Sequence, residues 1–244
     1  MLLQCARQPI LESRGDIVEV LRDVFSVYLT NIGRILLIGF TVVFPLLLVH
    51  TVASMVFVFY VGDSVLASMF SLLFYLIVLW LIQVPYIHLF KLETSGEEIR
   101  LIEIYRVFAR CFFPVLLVGI VYGVLVVLGL TLLIIPGLIF FLMWFLYPYA
   151  LVHSPERKWS EALRESRYIG LEHLGRLIIV LSVFIGLTSI IGKALAYGVM
   201  LATSNAILYI LVPAIFQVFL LPFFALLMSN YYSLWNEEYR LEMA

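Results

Sequence analysis

Between Cys111 and His153 the chain has no Asp, Glu, Lys or Arg. That stretch is about twice the length one helix needs to cross the hydrocarbon of a bilayer, which is about 20 residues. Inside hydrocarbon every backbone N–H and C=O has to be paired within the protein, so an uncharged run of this length predicts a hairpin of two spanning helices. Its turn falls either near Gly129 or at Pro136-Gly137. The same reading extends to the rest of the chain, which is 64% hydrophobic with a mean hydropathy of +1.11. Soluble domains are about half apolar, so this is a membrane protein.

Four further spans are predicted at 35–61, 65–90, 177–202 and 206–231, with tight turns at Gly62-Asp63-Ser64 and Ser204-Asn205. The residues after Ser233 read as a short, polar, frayed tail. The formal charge of −1 conceals strong segregation, because most of the fifteen Lys and Arg fall up to Arg34, between Lys91 and Arg110, and between Arg157 and Arg176. All three basic islands lie on one side of the membrane if there are six spans with both termini on that side. The excess of Lys and Arg assigns that side to the cytoplasm, and the opposite turns carry neither residue.

The longest island, Ser154–Arg176, aligns without gaps on the first. Glu161-Ala-Leu163-Arg164-Glu165 falls on Glu19-Val-Leu21-Arg22-Asp23, and Leu174-Gly175-Arg176 on Ile32-Gly33-Arg34. Each island reads as an amphipathic helix lying in the interface. The apolar stripes are Ile17, Leu21, Val24 and Tyr28; then Leu101, Ile102, Tyr105 and Phe108; then Trp159, Leu163, Ser166 and Ile169. Asp16 with Glu19 and Ser95 with Glu98 are spaced as capping boxes, and Ser154-Pro155 reads as a helix start. The three islands carry the same Glu-x-x-Arg pair, Glu19–Arg22, Glu103–Arg106 and Glu161–Arg164, spaced for ordinary helix support or for contact with a partner or lipid headgroup.

The expected fold is therefore all-α and integral to the membrane, a single polytopic domain over 1–244 with six transmembrane helices and three cytoplasmic interfacial helices. Pro85-Tyr86, Pro148-Tyr149 and Pro222-Phe223 each fall in the cytoplasmic half of an even span. The chain thus reads as three parallel copies of surface helix plus hairpin, at 16–90, 96–153 and 158–232, in the manner of parallel repeats in transporters.

The start LESRGDIVEVLRDVFSVYLTNIGRILLIGFTVVFPLLLV, the middle IIPGLIFFLMWFLYPYALVHSPERKWSEALRESRYI and the close LPFFALLMSNYYSLWNEEYR together resemble a bacterial multipass family. It is the membrane domain named after its fusion to some glycerophosphodiester phosphodiesterases, with its uncharacterised relatives. The shared elements are a basic helix before the first span, a Pro-Gly turn before the fourth, the set Glu161, Ala162, Leu163 and Ser166 after it, and an exit from the last span through Tyr231 and Tyr232. The family's ending is loosely matched by Asn236-Glu237-Glu238-Tyr239-Arg240. The resemblance implies a multipass bacterial plasma-membrane protein. It transfers no catalytic residue, because the phosphodiesterase activity resides in a separate barrel domain for which this chain has no room.

Lys193 is the one charged side chain inside a predicted span, which makes it a functional candidate by default. It reads either as an anion or headgroup contact in a path lined by Gly186, Gly192 and Gly198, or as a lysine snorkelling to the external surface beside helix-packing glycines. His50 lies within the first span, where hydrogen-bonded packing is its simplest role. His88 and His153 close the second and fourth spans at the interface. The four scattered histidines make no metal site, and two dissimilar cysteines make no disulfide framework. No cofactor motif, catalytic set or nucleic-acid surface is present, and no cleavable signal is expected.

The sequence expectation is a non-enzymatic plasma-membrane protein that meets the lipid bilayer and a membrane-protein or cytoplasmic partner through Glu19, Arg22, Glu103, Arg106, Trp159, Glu161 and Arg164. The alternative is a transporter or permease component for a small or lipid-like substrate, with Lys193 and His50 as its candidates. A membrane-embedded lipid enzyme, built on converging histidines, comes third.

Overall fold

The computed structural model describes residues 17–154, 158–203 and 205–243, which are helical almost throughout, with no strand among the described residues. Six stretches are long and apolar enough to cross a membrane: Ile32–Val61, Val65–Ser95, Leu101–Leu132, Ile134–His153, Leu174–Ala202 and Leu211–Leu241. The fold is the expected all-α multipass bundle. Asp16 and Pro155, assigned above to helix starts, lie outside the described residues, as does Ser204 of the last turn.

Helix α1 (Ile17–Thr30) leads into a first span made of α2 (Ile32–Ile38), a π-helical turn at Gly39–Val43, and α3 (Phe44–Val61). Pro45 accounts for the π turn: it has no N–H for the carbonyl four residues back, and its ring crowds that carbonyl, so the helix widens just before it. Helix α4 (Val65–Ser95) begins where the Ser64 hydroxyl accepts a hydrogen bond from Ala67 N–H at 3.3 Å. It ends at Gly96, whose φ of 69° is a left-handed cap that glycine adopts without strain.

The central hairpin consists of α5 (Leu101–Leu132) and α6 (Ile134–Trp144), joined through the single extended residue Leu133. The turn thus lies between the two expected positions, and the Pro-Gly pair belongs to the first turn of α6. Gly129 and Gly137 flank it face to face: a Cβ on Gly129 would sit 2.7 Å from Gly137 Cα. The fourth span breaks at Phe145-Leu146 and resumes as α7 (Tyr147–His153). Pro148 deprives the Trp144 carbonyl of its helical donor, which explains the break. Pro85 and Pro222 lie inside continuous helices, so of the three expected prolines Pro148 alone interrupts its span.

Helix α8 (Trp159–Glu172), the long α9 (Leu174–Ala202) and α10 (Ala206–Met243) complete the chain. The segments matched in sequence share local geometry. Each of α1 and α8 has 14 residues and ends at a non-helical hinge, Asn31 at φ −107°, ψ 18° and His173 at φ −101°, ψ 25°. Their buried positions also correspond, with Val20 and Val24 matching Ala162 and Ser166.

The second island departs from expectation. Ser95 ends α4, Arg100 is the N-cap of α5, and Leu101–Arg110 runs unbroken into the third span, so Ser95 and Glu98 form no capping box. At 1.5 Å per residue the 32 residues of α5 extend about 48 Å, beyond the hydrocarbon thickness. Among the described residues two helices, α1 and α8, therefore stand apart from the spans instead of three. The sequence has no hinge like Asn31-Ile32-Gly33 or His173-Leu174-Gly175 between Leu101 and Arg110.

The core gathers at the end of the bundle that carries the charged segments, called here the basic end. From Leu76 to Phe90 every residue of α4 is buried, as is all of α7 up to Val152. Trp80 stacks on Tyr122 at 4.2 Å, with Tyr147 at 5.4 Å. The C-terminal residues are not a frayed tail. Helix α10 continues to Met243 and buries Tyr231, Tyr232, Trp235 and Asn236, because Trp235 stacks on His173 at 4.7 Å and Tyr239 packs near Tyr168 at 5.0 Å.

Candidate functional site

At 100° per residue, α1 divides into three sectors. Val20, Val24 and Asn31 are buried on one side, against α10, where the Tyr28 hydroxyl donates to the Phe219 carbonyl at 3.1 Å. Partial burial also raises the Tyr28 phenol above its ordinary pKa. A second sector is apolar and exposed: Val18, Leu21, Phe25 and Leu29. The third holds the exposed Glu19, Arg22, Asp23 and Ser26. The expected stripe through Leu21 is thus two stripes, one facing protein and one free, because a helix on a membrane protein has both a protein and a bilayer to meet.

Helix α8 repeats this with a correction of the same kind. Ser166 and Ile169 do not face the membrane but are buried with Ala162, Glu165 and Gly170 against α6 and α7. Gly170 allows the contact: a Cβ there would lie 2.9 Å from the Leu142 carbonyl and 3.1 Å from that of Met143. Trp159 is 60% exposed, and Glu161 and Arg164 are exposed. In the second island Ile104 is fully buried while Ile102 is exposed, and Arg106 faces outward. No Glu-x-x-Arg pair closes as an ion pair among the described residues. Glu103 turns instead toward His88, 4.0 Å away.

Beneath these helices the basic end holds a polar network that sequence reasoning missed. Lys91, one turn after His88 on α4, donates to the His153 carbonyl at 3.2 Å. The His153 ring bridges the Tyr149 carbonyl at 3.1 Å and the Ser233 hydroxyl at 3.3 Å, and packs on Tyr232 at 4.9 Å. The Tyr232 hydroxyl donates to the buried carboxylate of Glu165, and Glu238 lies 3.4 Å from His173. These contacts tie α8 to α10 and the fourth span to the second and sixth. Of the histidines at this end, His153 is the one that joins the cross-helix network, while His88 faces Glu103 and His173 meets Glu238 and Trp235. The spacing of His88 with Lys91 and of Tyr232 with Ser233 was visible in the sequence, but the contact across helices was not. Gln83, Trp80, Tyr147, Tyr149 and Ser229 also bury polar atoms that no described residue satisfies.

At the opposite end, His50 Nε2 donates to the Ser71 carbonyl at 3.2 Å, and Ser54 sits between them, 3.4 Å from the ring and donating to the Ser71 hydroxyl at 3.1 Å. This cluster lines a cleft of about 800 Å³ between α3 and α4, with Asp63 and Ser68 at its turn end. A second cleft of about 460 Å³ adjoins it through Leu72 and Tyr75 and reaches Thr188, Ser189 and Gln217. His50 is thus hydrogen-bonded as expected, and it also faces a cleft. Lys193 is exposed on α9, away from both, and Gly186, Gly192 and Gly198 have no neighbour within 4 Å. Those glycines do not pack helices together within the chain, and neither of the two clefts is lined by them.

Six apolar spans with a charged, cross-linked basic end define a multipass all-α membrane protein. The chain matches no family model, and neither the curated proteins nor the solved structures give a match.

Proposed function

We propose that this chain is a non-enzymatic protein of the bacterial plasma membrane, with both termini cytoplasmic, whose basic end is an interaction and membrane-organising surface. The observation that carries the reading is the three-sided build of α1: one face is fastened to α10, one apolar face is free for the bilayer, and one charged face is free for a partner. The charge asymmetry supports the cytoplasmic assignment, and the resemblance to the membrane domain of glycerophosphodiester phosphodiesterases supports the bacterial one. Charge reversal at Arg22, Arg106 and Arg164 is expected to weaken recovery of partners and binding to anionic vesicles while the protein still inserts. Unchanged pull-down and vesicle binding refutes the reading.

A permease for a lipid-like substrate is the second reading, favoured by the two adjoining clefts, which place the His50 group beside an apolar chamber. It expects His50→Ala to abolish substrate-dependent flux in proteoliposomes, with Lys193→Ala without effect. Flux that survives His50→Ala removes it.

A further inference from the structure

A groove of about 450 Å³ runs between α5 and α8, walled by Phe113, Leu117 and Val121 of α5, Trp144 of α6, and Trp159 and Leu163 of α8. It is apolar along its length, and Phe113 and Leu117 are more than 60% exposed at 68% and 62%, so its open side faces where bilayer lipid lies. The charge around it is ordered. On α5 the residues Arg106, Arg110, Phe113, Leu117 and Val121 follow one another at three- and four-residue spacing, so they share one stripe. After Glu103 in the first turn of α5, that stripe carries the exposed cations Arg106 and Arg110 and is apolar at the next three positions. On α8, Arg167 follows Leu163 by four residues, continuing the groove-lining side with another exposed cation.

The neighbouring acids point elsewhere. Glu103 is directed at His88, Glu165 is bonded by Tyr232 inside the bundle, and Glu161 projects from nearly the opposite side of α8 to Leu163. Trp159 stands at the rim, where an amphipathic ring suits the headgroup level. A run of cations followed along one helix by an apolar trough matches the profile of a single molecule with an anionic head and a hydrocarbon tail.

We infer that this groove seats one anionic phospholipid, an acyl chain lying against Phe113, Leu117 and Val121 and its phosphate held by Arg110 and Arg167. The site rests on the proposed reading of the basic end as a membrane-organising surface and gives that surface a defined ligand. Charge attracts the lipid to the face, and the trough selects a chain; arginine suits the phosphate because its planar fork donates two parallel hydrogen bonds. A zwitterionic lipid presents the same phosphate, but its own ammonium is repelled by the arginines and lowers the net attraction, so the groove favours the anionic lipid.

The test uses the full chain in detergent, titrated with phosphatidylglycerol or phosphatidylcholine and read by native mass spectrometry and thermal shift. The wild type is expected to retain phosphatidylglycerol at least about tenfold more tightly than phosphatidylcholine, and the double variant Arg110→Gln, Arg167→Gln to lose that preference, a change of about 1.4 kcal/mol. Val121→Trp, which fills the trough and leaves every charge in place, is expected to lose the bound lipid as well. All three positions face outward or line the open groove, so the variants are expected to melt as the wild type does without lipid. Arg22→Glu on α1 separates the two levels. If it weakens vesicle binding while the groove variants bind lipid normally, the groove assignment is overturned and the broader reading stands. If neither set changes binding, both are overturned, and equal affinity for the two lipids overturns the anionic assignment.

Discussion

Replacing Gly170 by alanine adds one methyl group where α8 crosses the end of α6. The added carbon would lie 2.9 Å from the Leu142 carbonyl oxygen and 3.1 Å from that of Met143. Both obstacles are backbone atoms at the last turn of a helix, so neither can swing aside as the end of a flexible side chain does. Alanine is the better helix former by about 1 kcal/mol, whereas overpacking a close contact costs about 1–3 kcal/mol. The net expectation for Gly170→Ala is a loss of up to about 2 kcal/mol, and Gly170→Val, with two further methyls and a β-branch, loses more. Gly175, five residues on and past the hinge, has nothing within 4 Å, so Gly175→Ala is expected to be neutral or stabilising. For a chain of this size 1 kcal/mol moves the melting temperature by about 2–4 °C. Thermal unfolding in detergent therefore separates the pair by sign. If Gly170→Ala melts at or above the wild type, α8 is not seated on the α6 carbonyls.

Two further substitutions probe the buried polar groups. Tyr232→Phe leaves the buried Glu165 without its phenol and is expected to lower stability by about 1–3 kcal/mol; an unchanged melting temperature argues against that bond. Gln83→Met keeps the volume but removes two amide atoms that no described residue satisfies, so it is expected to be neutral or to raise the melting temperature. A fall of several degrees would show that Gln83 holds a partner at that position.

The number of spans was legible because hydrocarbon leaves so few solutions, an apolar run either crossing or folding back, whereas the turn at Leu133 fell between the two expected positions. The hinges at Asn31 and His173 were legible as matched triplets, Ile32-Gly33-Arg34 and Leu174-Gly175-Arg176. The second island misled because Glu103 and Arg106 repeat a spacing, and spacing does not record whether the helix that carries it stops. The stripes of α1 and α8 were misassigned for a related reason. Periodicity finds an apolar face, but Leu21 and Val24 are equally apolar, and only the arrival of α10 decides that Val24 is covered and Leu21 is not. The His153 cluster was illegible altogether, since its members come from α4, α7 and α10 and meet only through tertiary packing. His50 was found as a residue and not as a site, because Ser71 approaches it from the neighbouring helix.

Helix α1 rests on α10, and the Tyr28 hydroxyl reaches the Phe219 carbonyl across 191 residues. In a chain made from its N-terminus, α1 therefore waits for α10. Until α10 arrives, Val20, Val24 and Asn31 have no protein to cover them, and the nascent basic end is open to chaperones, insertase or lipid. Closure of the basic end is thus coupled to the synthesis of α10, so a product that stops after α9 lacks the sixth span together with the face that fastens α1.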